Sequence, residues 1–143
     1  MAEHVLHVPA GRAIVEEGTI GNQMFVLESG RVEVTRSHGE IRVGLATLGP
    51  GAIFGELGLL ESLPRGATVT AIEDSTVYAI DSSALLGRIA ADPMFALRLL
   101  QAMAARIRRL NDTVVTLALD AHREEDEVRD TLAEIEYEPP GYL

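Results

Sequence analysis

Residues 54–68 read Phe54-Gly55-Glu56-Leu57-Gly58-Leu59-Leu60-Glu61-Ser62-Leu63-Pro64-Arg65-Gly66-Ala67-Thr68. Three features converge in this stretch. Gly55 and Gly58 permit a tight turn whose backbone can lie close to a ligand. Gly55 to Leu60 is long enough for one short helix, and the free N–H groups of a helix N-terminus favour an anion. Arg65 stands beside the small residues Gly66 and Ala67, where a guanidinium can hold a phosphate through two parallel hydrogen bonds. Glu56 adds an acceptor suited to a sugar hydroxyl. A plainer reading uses the same residues: Glu56 and Arg65 as a surface ion pair, worth at most about 1 kcal/mol. Residue chemistry alone leaves both readings open.

Around this stretch the chain changes texture near residue 81. Before it, Gly11, Gly18, Gly21, Gly30, Gly39, Gly44, Gly49 and Gly51 punctuate short apolar runs, as in strands joined by tight turns. Met24-Phe25-Val26-Leu27 reads as one strand and Ser29-Gly30 as its turn. Arg31 to Arg36 then alternates polar and apolar residues, the mark of a half-buried strand. Ile41 to Leu45, Ala67 to Ile72 and Ser75 to Ile80 supply further strands. The pattern predicts a β jelly roll (a double-stranded β-helix) over residues 1–81, in an α+β chain.

From residue 82 the spacing is helical. Asp81 or Ser82 can cap a helix running to about Ala91, and Asp92-Pro93 starts a second one. In that long helix Leu100, Met103, Ile107, Leu110, Val114, Leu117 and Ala121 recur in steps of three and four, a heptad stripe. The stripe either packs on the β domain or forms a two-chain coiled coil. Its length favours a homodimer through Leu100–Ala121. Residues 82–121 are therefore expected to act as lid and dimerisation helix, and residues 122–143 as an acidic tail. The tail is read as a solvated helix face or frayed end, although Val128, Leu132 and Ile135 could carry the helix to about Glu136, before Pro139-Pro140-Gly141 stops it.

The 143 residues carry 22 acidic and 12 basic side chains, a formal charge of −10. Every basic residue is Arg. His122 to Glu138 alone hold eight acids and two Arg, a local −6 that leaves −4 elsewhere. Such acidity argues against duplex DNA and against an anionic membrane as partners. There is no Cys, so no disulfide or thiol nucleophile. With neither a signal peptide nor a long apolar run, the expected location is the cytoplasm. His4, His7, His38 and His122 are too scattered for a metal-binding jelly-roll enzyme, so no metal or catalytic residue is expected.

The run Phe54-Gly55-Glu56-Leu57-Gly58-Leu59, then Pro64-Arg65, then Gly66-Ala67-Thr68, resembles the phosphate-binding cassette of the cyclic-nucleotide-binding domain family. That family supplies the sensory domain of the catabolite activator protein and of cyclic-AMP-dependent kinase regulatory subunits. Gly18, Gly30 and Gly51 sit where the family has turn glycines, and Met24 to Val32 resembles its strand-turn-strand. The helical region from Ser82 to about Ala121 resembles its two C-terminal helices, so the resemblance covers roughly residues 5–121. It implies that Arg65 pairs with the exocyclic phosphate oxygens, with Gly58 and Gly66 helping through backbone N–H groups and Ala67 packing beside them. It implies Glu56, beside Gly55, on the ribose 2′-hydroxyl. It places Asn111, Leu57, Val43 and Leu45 against the base. Many members carry Ser, Thr or Ala at the position of Gly66; a Ser or Thr hydroxyl there could bond phosphate or guanine, and its absence favours cyclic AMP over cyclic GMP.

The expectation is a stand-alone cyclic-nucleotide sensor, not an enzyme, that relays binding through its helices to an unidentified protein partner. No cofactor is expected beyond the nucleotide ligand. Two alternatives are a dimeric interaction module that no longer binds nucleotide, and the sensory fragment of a larger regulator. Met1 and the Pro-Pro-Gly ending favour a complete protein.

Overall fold

The computed structural model describes residues 3–134. It divides into two units, Met1–Leu99 and Leu100–Leu143. In the first unit, eight strands form two antiparallel sheets. One has the order β1 (Glu3–Val8), β8 (Ser75–Asp81), β3 (Gln23–Ser29), β6 (Ile53–Phe54). The other has the order β2 (Ala13–Val15), β7 (Thr68–Ala71), β4 (Val32–His38), β5 (Ile41–Leu48). This is the expected jelly roll, followed by helices in an α+β chain. Both sheets feed one core: Phe25, Leu27, Phe54, Val77 and Ala79 from the first, Val15, Val32, Val69 and Ala71 from the second. Each large side chain buried this way contributes about 1.5–3 kcal/mol.

The β3–β4 turn is fixed by Gly30, whose φ is +94°. A Cβ there would lie 2.6 Å from the Asp74 carbonyl oxygen and 2.7 Å from Ser75 Cα. Ser75 is itself buried and donates to the carbonyl of Glu73 at 2.8 Å, so this corner joins the β3–β4 and β7–β8 turns.

β5 departs from simple alternation. Val34 faces Ala46 and Thr35 faces Gly44, so Leu45 is the extra residue of a bulge. A period-2 reading puts Val43 and Leu45 on one face. The bulge instead sets Ala46 opposite the half-buried Val34.

Between β6 and β7 lies the short helix α1 (Glu56–Glu61). After β8 comes α2 (Ser82–Ala91), capped by Asp81, whose side chain accepts from Ala84 N at 2.9 Å. α2 packs on β8 and buries Ala84 and Leu85. α3 (Pro93–Glu134) begins at the Asp92 cap, which accepts from Met94 N at 3.2 Å and pairs with Arg98 at 2.7 Å. The Arg88 guanidinium lies 5.9 Å from the Tyr78 ring centroid and 5.1 Å from that of Phe95. It thereby ties β8, α2 and the first turn of α3 together.

The second unit continues α3 from Leu100. Leu100, Ile107, Leu110, Val114 and Leu117 are all exposed along it, while Met103 is half-buried. The helix does not end near Ala121. It runs to Glu134, through the acidic residues, with Arg123–Asp120 and Arg129–Asp126 pairs along it. The expectation for Ile135 and beyond lies outside the described residues. No helix among the described residues is long and apolar enough to cross a membrane.

Replacing Gly30 by Ala must strain the backbone and push on main-chain atoms of the β7–β8 turn. Gly30→Ala is expected to lower stability by about 2–3 kcal/mol in urea unfolding. A change below about 0.5 kcal/mol, the range of an ordinary surface substitution, would contradict this packing.

Candidate functional site

The cassette is held to the β2–β3 loop on both sides of one residue, Arg65. Arg65 N donates to the Thr19 carbonyl at 2.8 Å, and Gly18 N donates to the Arg65 carbonyl at 2.8 Å. Within the cassette, Gly55 takes a φ of +78° to start α1, a conformation that suits glycine. Ser62 ends α1 with a φ of +54°, in the left-handed region where glycine is the usual residue.

Arg65 is 7% exposed, so its side chain turns into the protein. Nη1 donates to the Gly55 carbonyl at 2.7 Å and Nη2 to the Gln23 carbonyl at 2.6 Å. Cζ lies 6.0 Å from the centroid of the Phe25 ring, which stacks on Phe54 at 5.3 Å. A guanidinium has five N–H donors. Two are committed to backbone carbonyls, which fix its plane. Burial pulls the Arg65 pKa below its ordinary value, and the nearby Glu56 carboxylate pulls the other way. Glu56 is itself 2% exposed. The surface ion pair is therefore excluded: both groups are inside.

Gly55, Leu57, Gly58, Arg65, Gly66 and Ala67 line one cavity of about 190 Å³, together with Val15, Glu61, Leu63 and Pro64. Of the residues singled out from sequence, these six are brought together, with Glu56 buried beside them. Val43 and Leu45 are not among the cavity's lining residues: both are exposed on β5, Leu45 at the bulge. Asn111 is exposed on α3 in the second unit. A Cβ on Gly66 would meet nothing within 4 Å, so the position beside Arg65 is open.

Sequence reasoning did not single out the β2–β3 loop as part of the site. Gly21 and the Gln23 carbonyl pack on the guanidinium, yet the one reads as turn punctuation and the other is a backbone atom. Among the histidines, His4 contacts Gln23 at 3.5 Å and His7 contacts Thr76 at 3.2 Å, both from β1. No group of three or more metal-ligating side chains occurs among the described residues.

Known proteins give the same fold. The cyclic nucleotide-binding domain family model matches residues 5–92. The chain belongs to that family. It is 33% identical over 110 residues to a CRP-like cAMP-activated global transcriptional regulator of Mycobacterium tuberculosis, covering 76% of this chain and 49% of the relative. The crystal structure of the Thermus thermophilus catabolite activator protein superposes with a TM-score of 0.73 at 32% identity, over 81% of this chain and 55% of that one. A cyclic nucleotide-binding domain from Methylobacillus flagellatus superposes with a TM-score of 0.70 at 25% identity, over 79% of this chain and 66% of that one. The chain spans about half the length of the first two of these.

Two substitutions test the cassette geometry in the absence of ligand. Ser62→Gly relieves a left-handed serine and is expected to stabilise the chain by about 0.5–1 kcal/mol, read from the urea midpoint. Arg65→Ala removes the cation whose field Glu56 feels inside the protein. It is expected to destabilise by about 3–5 kcal/mol, far more than loss of an exposed ion pair. An unchanged midpoint for Arg65→Ala would contradict a role for Arg65 in offsetting the buried Glu56.

Proposed function

We propose that this chain is a cyclic-nucleotide sensor, a binding module and not an enzyme, working in the cytoplasm. One observation carries the reading. Arg65 is held by two carbonyls at the wall of a cavity lined by Gly58, Gly66 and Ala67, with Glu56 beside it. A singly charged phosphate diester suits that arrangement. Arg65 takes the exocyclic oxygens, Gly58 and Gly66 offer backbone N–H groups, and Ala67 packs alongside. Glu56, next to Gly55, accepts the ribose 2′-hydroxyl. A charge-assisted contact of this kind contributes about 1.5–3 kcal/mol.

The cavity volume of about 190 Å³ is below the roughly 300–1,000 Å³ of pockets that enclose a whole drug-sized ligand. The phosphate and ribose therefore go inside and the base stays at the mouth. Leu57, Val43 and Leu45, exposed at 51%, 46% and 56%, are the apolar groups offered to it. With no hydroxyl at Gly66, the preference is for cyclic AMP over cyclic GMP.

A ligand that touches both the roll and the long helix shifts the population between arrangements only through its different affinity for each. The exposed stripe Leu100–Ala121 supplies the second element of the relay, a homodimer. The relatives' greater length leaves room for this chain to be the sensory part of a larger regulator, reading out to a further protein rather than to DNA directly.

Side-by-side calorimetric titration with cyclic AMP and cyclic GMP tests the assignment. Cyclic AMP is expected to bind more tightly. Arg65→Lys, which keeps the charge but not the planar fork, is expected to lose at least tenfold, on the order of 1.4 kcal/mol. Gly66→Ser should narrow the gap between the two nucleotides. No binding of either nucleotide would leave the chain as an interaction module of the same fold. For the dimer, sedimentation at several concentrations should show association that Leu110→Glu abolishes. A wild-type chain that stays monomeric would remove the helix from the relay.

A further inference from the structure

The Arg65 guanidinium is walled by three glycines. A Cβ on Gly58 would lie 2.9 Å from Arg65 Cζ, and one on Gly55 would lie 2.9 Å from Nη1. These two belong to the cassette and crowd the Nη1 side. Gly21 belongs to the β2–β3 loop and crowds the other side. A Cβ there would collide with Nη2 and lie 2.7 Å from Nε and 2.9 Å from Cζ. Nη2 is the atom that donates to the Gln23 carbonyl, two residues further on at the start of β3, at 2.6 Å.

Gly18, in the same loop, has a φ of +83° and open space around it, so glycine there serves the backbone. Gly21 is the reverse case. It is not among the residues with positive φ, and the three atoms nearest to a Cβ there all belong to the guanidinium. A positive φ is not what calls for glycine here. The nearest obstacle to an alanine is Arg65.

We infer that Gly21 is a positioning residue for Arg65. Its missing side chain gives the guanidinium the berth in which Nη2 reaches the Gln23 carbonyl, and so sets the direction in which the remaining N–H donors face the cavity. The inference rests on the phosphate-binding role proposed above for Arg65. It adds that the loop, and not the cassette alone, determines how well that role is performed.

The test is Gly21→Ala, with Gly87→Ala as control, since a Cβ on Gly87 meets nothing within 4 Å. Two readouts are needed. The first is calorimetric affinity for cyclic AMP. The second is the Nε–H resonance of Arg65 in the ligand-free protein, assigned by its loss in Arg65→Lys. Gly21→Ala is expected to shift that resonance and to weaken cyclic AMP binding about 10- to 100-fold, while Gly87→Ala does neither. On top of Arg65→Lys, Gly21→Ala should add almost nothing, because the group it displaces is already gone.

Unchanged affinity overturns the inference, as does an equal loss in the Arg65→Lys background. An unfolded Gly21→Ala chain overturns it too, because room for a flexible side-chain end is then not what the glycine supplies. If the wild-type chain binds no cyclic nucleotide, the phosphate-binding role falls. The ligand-free resonance then still decides the positioning: a resonance that Gly21→Ala does not move overturns it.

Discussion

A guanidinium taken out of water must have its charge and its N–H groups answered where it lies. Arg65 meets that demand with two backbone carbonyls from different parts of the chain, the field of Glu56 and the face of Phe25. Much of the site depends on satisfying it. The Gly55 carbonyl is aimed by a left-handed turn at the start of α1. The Gln23 carbonyl comes from the first residue of β3, and its loop also binds the Arg65 main chain through Gly18 and Thr19. The two ends of the cassette and the β2–β3 loop thus meet on one side chain.

The jelly roll makes this meeting possible. β3 is central to its sheet, flanked by β8 and β6. Its first residue therefore sits next to both the end of β6, where the cassette begins, and the end of β8, where the helices begin. Phe25 and Phe54, register partners on β3 and β6, stack beneath the guanidinium and join the site to the core. On the opposite face Met24 and Ile80, also register partners, are fully buried, and Ile80 is on the strand against which α2 packs. A displacement of Arg65 or its loop is thus one strand away from the helices.

Much of this was legible in the sequence because it follows from periodicity and caps. The Gly30 hairpin, the Asp81 cap of α2, the Asp92-Pro93 start of α3 and the short helix after Gly55 are local features with local causes. The cassette residues converge because they are close in sequence. What was not legible has non-local causes. The bulge at Leu45 breaks a period-2 reading that the residues themselves invite. The extension of α3 past Ala121 is the exception: it is local, offered in the sequence by Val128 and Leu132 and accompanied by i,i+3 Arg–Asp pairs. Gly21 and the Gln23 carbonyl join the site through a loop more than 40 residues from Arg65, and a backbone carbonyl leaves no mark in a sequence.

The central claim is that Arg65 keeps its two carbonyls and offers its remaining donors to a phosphate. The most direct measurement is a structure of this chain with cyclic AMP bound. The account predicts a guanidinium nitrogen about 2.7–2.9 Å from an exocyclic phosphate oxygen, with the bonds to Gly55 and Gln23 retained. A phosphate held elsewhere, or an Arg65 that leaves both carbonyls to reach it, would contradict the account.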